Sequence, residues 1–208
     1  MTATGARPAP NHHADHKGFS GACGLLVGLT MTVGRTRDAR LAVQLTGTGA
    51  GDHVVDVGCG PGSAVRFASG LGARVSGVDP APVMLGLARR LTRSDLVTYL
   101  QGAAESLPLP DGSATVLWTI ASVHHWHDVT AGLREARRVL APGGRFLAME
   151  RHTRPGAKGL ASHGWTDQQG AVFADLCREL GFDDVRLDRH TVARRPALAV
   201  VGTSGQRA

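Results

Sequence analysis

Cysteine is scarce in this chain. Cys23, Cys59 and Cys177 are the whole supply, odd in number and far apart, with no CxxC among them. That excludes a disulfide framework and a cysteine zinc site. Aromatic residues make up only 4%, too few to interleave with basic residues as a base-stacking surface does. Long apolar runs are missing too. No stretch reaches the roughly eighteen residues that a membrane span needs. The opening MTATGARPAPNHHADHKG is polar and lacks the apolar stretch of a signal peptide, so a cytoplasmic location is expected. Lysine is nearly absent: Lys17 and Lys158 are the only two, and the net charge of +6 rests on scattered arginines. Scattered arginine reads as a solvated basic surface, so no nucleic-acid partner is expected.

What remains suits one domain of 208 residues, long enough to bury a core without staples. Residues 1–20 read as a flexible segment or lid, and 21–208 as a single domain. Apolar residues at helical spacing (Leu25, Leu29, Val33, then Leu41, Leu45) predict two helices within 21–47, with Gly34 between them. From residue 51 strands alternate with helices. Strands are expected at 53–57, 73–79, 96–102, 113–120 and 145–151, with helices at 63–72, 81–92 and from Asp128 to the Pro142-Gly143-Gly144 stop, and a last helix from about Thr166. Two further apolar runs, VRLDRHTVA and ALAVVGT, leave no room for a helix between them and predict a hairpin around Arg194-Arg195-Pro196. The pattern is α/β: a mostly parallel sheet with helices on both faces and an antiparallel hairpin at its end.

The first strand-to-helix turn is VVDVGCGPGSA, Val54 to Ala64. Open parallel sheets bind ligands at the carboxyl ends of their strands, and glycine lets a ligand approach the backbone closely. A dinucleotide turn is G-x-G-x-x-G. Here the sixth position is Ser63, and the spacing is Gly58, Gly60, Gly62. Asp56 precedes them by two residues, where an acid would repel a pyrophosphate but could hold a cationic amine. Asp79 ends the second strand about twenty residues on, where an acid accepts both ribose hydroxyls.

This stretch resembles the first motif of class I S-adenosylmethionine (SAM)-dependent methyltransferases, (D/E)-x-G-x-G-x-G. Other words resemble the family in order: VDPAPVML; Gly102 to Pro108, like its G-D-A-E-x-L-P; Ser122-Val123-His124-His125-Trp126, like its L-H-H-W; and Arg138 to Gly144, like its R-V-L-K-P-G-G. The likeness covers about 51–203 and is nearest the ubiquinone/menaquinone-biosynthesis group, which methylates small molecules. It implies a Rossmann-like seven-stranded sheet, and SAM as cofactor with S-adenosylhomocysteine as product. It also implies a small-molecule substrate and a cofactor site at Asp56, Gly58, Cys59, Gly60, Gly62, Asp79, Pro80, Met84, Ala103, Ala104, Glu105, Ile120 and Ala121. Ala103 departs from the family, which often has aspartate there for the adenine amine.

His124 and His125 fall where the family's substrate pocket opens, and either is a candidate general base. His16, Phe19 and Trp126 are candidate substrate or lid contacts. Cys59 packs under the glycine turn rather than serving as a nucleophile. Glu150 is expected to touch substrate or to pair with Arg151 or Arg154. His12 and His16 stand four apart, a helical metal-pair spacing, but no carboxylate supports them, and no metal ligand is expected. The alternatives are an NAD-type oxidoreductase, which Ser63 and Asp56 disfavour, and a non-catalytic SAM-binding protein. The chain is expected to act as a monomer or homodimer.

Overall fold

The computed structural model describes residues 8–13 and 36–205. His16, Phe19, Cys23 and the first predicted helix all lie outside the described residues. The elements are α1 (Thr36–Thr46), β1 (His53–Val57), α2 (Ser63–Ser69), β2 (Arg74–Asp79), α3 (Pro82–Leu91), β3 (Val97–Gln101), β4 (Ala114–Ile120), a single 3-10 turn (Val123–His125), α4 (Val129–Val139), β5 (Leu140–Arg151), a second 3-10 turn (Gly159–Ser162), α5 (Asp167–Glu179), β6 (Phe182–Val192) and β7 (Arg195–Ser204).

One sheet takes all seven strands in the order β3-β2-β1-β4-β5-β7-β6. Strands β1 to β5 pair in parallel, and β7 runs antiparallel to both β5 and β6. The order reverses at β1, which has β2 on one side and β4 on the other. Both sheet faces are apolar, and alternate residues of a strand enter opposite cores. Val55, Leu117, Phe146 and Leu198 join Leu133 of α4 and Phe173 of α5 in one. Val54, Trp118, Leu147 and Ala199 join Ala42 of α1, Val65 of α2 and Leu85 of α3 in the other. That is the near-continuous hydrophobic strand of a sheet covered on both sides.

Local chemistry fixes most element ends. Asp128 caps α4 by accepting the Ala131 N–H at 3.0 Å. Thr166 and Gln169 form a capping box at the start of α5. Pro82 sits in the first turn of α3. Three details depart from the sequence expectation. Strand β5 begins at Leu140, not 145: Leu140 pairs with Ala114, and the register then jumps to Val116 opposite Arg145. The Pro-Gly-Gly turn, with Gly143 at φ 72°, is extruded as a bulge, because proline has no N–H for the ladder. The closing hairpin turns on Ala193 and Arg194, both at positive φ, rather than on Arg194 to Pro196. The buried stripe of α1 is Ala39, Ala42 and Thr46, with Leu41 and Leu45 packed at its flank.

Candidate active site

A cavity of about 370 Å³ opens at the carboxyl ends of β1, β2 and β4, where the strand order reverses. Its size is that of a small-molecule pocket. Asp56, Gly58, Cys59 and Gly60 form one wall; Asp79, Pro80 and Met84 a second; Ala103, Ala104 and Glu105 a third; Ile120, Ala121, His125 and Trp126 a fourth. Every residue that the resemblance assigned to the cofactor lines this space except Gly62. His124 is not on its wall either.

The three glycines of the turn are there for different reasons. All have positive φ, which side chains resist. A Cβ on Gly58 would stand 2.2 Å from the Ser122 Oγ, and one on Gly62 2.1 Å from the Tyr99 hydroxyl. Protein packing alone demands glycine at these two. A Cβ on Gly60 would meet nothing within 4 Å, yet Gly60 lines the cavity. The room beside it is room for a ligand.

Asp79 closes the turn onto β2. Its two carboxylate oxygens accept the Gly60 N–H at 2.8 Å and the Ala81 N–H at 2.9 Å. Burial pushes its pKa above the usual carboxylate value, and these two N–H groups only partly offset that. Each oxygen keeps acceptor capacity for a diol. Asp56 is 2% exposed and lies deeper, on β1. Burial, reinforced by the charges of Asp56 and Asp79, pushes the Cys59 thiol far up. Its sulfur lies against the spot where a Cβ on Gly77 would stand, so it packs beneath the turn while also bordering the cavity. Ala121 holds φ 54° at the end of β4, a strained backbone of the kind found at sites.

Ser122, which sequence reading did not single out, joins the walls. Its hydroxyl donates to the Val57 carbonyl at 3.2 Å and accepts from the Trp126 indole N–H at 3.1 Å. The loop is held from the other side by Glu105, which accepts the N–H groups of His127 and Asp128 at 2.7 and 3.1 Å. Residues 8–13 dock here as well. The Asn11 amide donates to the Trp126 and His127 carbonyls at 2.9 and 3.1 Å, and the His13 N–H to the His124 carbonyl at 2.9 Å. No composition signal marks that docking.

The histidine pair splits. The His125 ring reaches the cavity, while His124, 3% exposed, turns back to Glu150 with Nδ1 2.8 Å from Oε2. Glu150 is itself 1% exposed and away from the cavity wall. Its partner is His124, which replaces the expected substrate contact or arginine pair. Burial, with the neighbouring His124 and His163, depresses His125 to about 4. His12 uses both ring nitrogens, with Nε2 2.8 Å from the Ser162 carbonyl and Nδ1 3.0 Å from the Gln169 amide.

Comparison with known proteins places this geometry. Residues 55–148 match the methyltransferase domain family. The chain is 36% identical over 112 residues to the demethylmenaquinone methyltransferase of Tropheryma whipplei (strain Twist), a match covering 53% of this chain and 46% of that one. It thus spans under half that relative's length. It is 30% identical over 200 residues to the O-methyltransferase resE of Aspergillus sclerotiorum, covering 86% of this chain and 75% of that protein. A SAM-dependent methyltransferase structure from Aquifex aeolicus superposes with a TM-score of 0.72 at 17% identity, over 86% of this chain and 97% of the other. The glycine turn, the strand order and these likenesses agree, and the chain belongs to the class I SAM-dependent methyltransferase family.

Proposed function

We propose that this protein transfers a methyl group from SAM to a small organic acceptor. The observation that carries the reading is the open space at Gly60, bounded by the buried carboxylates of Asp56 and Asp79. Those residues fit the cofactor. Asp79 would take the ribose hydroxyls, Asp56 the methionine ammonium, and the backbone about Ala103 and Ala104 the adenine, since Ala103 offers no carboxylate. SAM supplies an electrophilic methyl carbon on a sulfonium. The protein's part is to place an acceptor in line with that carbon and to keep water out.

Trp126 and His125 stand on the wall formed by the loop after β4, and we assign them to the acceptor side. His125 stays neutral at pH 7. With a pKa near 4 it is a weak proton acceptor, so we read it as a polar contact to the acceptor rather than as the general base, and we give His124 no base role because it does not line the cavity. The relatives named above methylate, by their names, a demethylmenaquinone in one case and an oxygen in the other. An acceptor methylated at carbon or oxygen is what these names support. We further propose that residues 8–13 and 36–205 form one folding unit.

Calorimetric titration with S-adenosylhomocysteine and with NAD tests the reading. Stoichiometric binding of the first and none of the second is expected; the reverse, or neither in folded protein, would overturn it. A screen of acceptors with isotopically labelled SAM then finds the substrate.

A further inference from the structure

Beside the cavity five imidazoles gather among the described residues. The ring centroids of His124 and His125 are 4.1 Å apart, those of His13 and His163 4.4 Å, and those of His12 and His13 4.5 Å. Three of them, His124, His125 and His163, each bring a ring nitrogen within 4.8 Å of the other two. They come from separate parts of the chain: two from the 3-10 turn after β4, and one from the segment between the second 3-10 turn and α5.

We infer that His124, His125 and His163 form a binding site for a divalent transition-metal ion of the zinc class.

The chemistry favours such an ion over a hard cation. The donor set is all imidazole, with no oxygen ligand among the three, and imidazole suits zinc and its neighbours rather than magnesium or calcium. A tetrahedral zinc with bonds of about 2.0–2.1 Å needs ligand nitrogens roughly 3.4 Å apart. The observed spacing closes to that by swinging the rings, whose outer torsion is broad. A second observation comes from behind the cluster. The buried Glu150 carboxylate meets His124 at Nδ1, at 2.8 Å. A carboxylate that accepts a hydrogen bond from Nδ1–H keeps the lone pair on Nε2 and fixes the ring, which is how ligating histidines are oriented. Without such a use, an acid 1% exposed on a central strand is an expensive partner for one imidazole.

The site departs from the sequence expectation of no metal ligand, and it is not the His12–His16 pair. His12 is spent on Ser162 and Gln169. Zinc on three imidazoles keeps a fourth position for solvent or a ligand atom, and His125 belongs to both the cluster and the cavity wall. The acceptor class this selects is one with a protic oxygen or sulfur, bound in its deprotonated form. That consequence rests on the methyl-transfer reading; metal binding does not.

The test uses the whole 208-residue chain, stripped by chelator and titrated with zinc by calorimetry without SAM, and with cobalt(II) for its visible tetrahedral bands. One ion per chain is expected. His163→Gln and His125→Gln should each weaken binding at least 100-fold, and Glu150→Gln by 10–100-fold. His190→Gln, on β6 and outside the cluster, should leave it unchanged. Circular dichroism and melting temperature establish that each variant is folded. Absence of stoichiometric binding, or binding that survives both His163→Gln and His125→Gln in folded protein, overturns the inference. Loss of zinc binding with S-adenosylhomocysteine binding retained upholds it, and failure of the S-adenosylhomocysteine titration alone would count against the methyl-transfer reading instead.

Discussion

Alanine at Gly60 separates a glycine kept for a ligand from glycines kept for packing. Placing an L-residue in the left-handed region costs about 1–2 kcal/mol, and that cost applies alike at Gly58, Gly60 and Gly62, whose φ values are 75°, 53° and 76°. At Gly60 it is the whole cost to the fold, because the new methyl has no neighbour within 4 Å. At Gly58 and Gly62 the methyl also overlaps Ser122 and Tyr99, at 2.2 and 2.1 Å, and overpacking adds about 1–3 kcal/mol. For a chain of this length each kcal/mol lowers the melting temperature by roughly 2–4 °C. Gly60→Ala should therefore melt only a few degrees low, and the other two should melt clearly lower. Binding inverts the order. The Gly60 methyl enters the cavity, so S-adenosylhomocysteine affinity should fall at least tenfold, about 1.4 kcal/mol. Scanning calorimetry and titration calorimetry on the three variants decide it. Wild-type affinity in folded Gly60→Ala, or melting as low as Gly58→Ala, would refute the assignment of that space to the cofactor.

Asp79→Asn should weaken S-adenosylhomocysteine by about 10–100-fold, the worth of charge-assisted hydrogen bonds, read by titration calorimetry. The same variant has a pH signature. The folded pKa of Asp79 is raised, so its contribution to stability is full below the unfolded value and is lost as pH rises through the folded one. The stability gap between Asp79→Asn and wild type, measured by urea denaturation, should move in favour of asparagine as pH rises above the unfolded carboxylate value. Cys59, with its thiol pKa held far up by burial, should resist iodoacetamide at pH 8 in the native protein and react after denaturation, as peptide mapping by mass spectrometry would show.

Much of this was legible because the signals were local and periodic. HVVDV, the glycine spacing, Pro82, Asp128 and Thr166 each act within a few residues, and each sits where its chemistry puts it. The cavity wall was legible for the same reason: the strand ends carry the motif words. What escaped depends on distant pairing. Nothing near Glu150 in sequence announces that its partner is His124, twenty-six positions earlier. His163 has no motif around it, and only the fold brings it beside His125. The hairpin turn escaped because Ala193 and Arg194 adopt positive φ without the Gly, Asn or Asp that would mark it. The β5 start escaped because a Pro-Gly-Gly triplet ordinarily ends an element, whereas here the strand resumes beyond it.

Ser122 shows how such a distant contact can be measured. Its side chain occupies the place where Gly58 has none, and it ties Val57 of β1 to the Trp126 indole. Ser122→Gly alone breaks both bonds, and a third from the Thr119 hydroxyl at 3.1 Å, and leaves the buried indole N–H unsatisfied, at about 1–3 kcal/mol. Gly58→Ala alone carries the left-handed strain plus the overlap. In the double variant the overlap vanishes, since the nearest remaining heavy atom to the new methyl is the Ser122 Cα at 3.9 Å. The two penalties should then sum to more than the double variant loses, by about 1–3 kcal/mol, the range of coupling for residues in contact. Urea denaturation of the four proteins closes the cycle. Strict additivity would mean that the motif glycine is not set by Ser122, and its requirement would have to be sought in the ligand, as at Gly60.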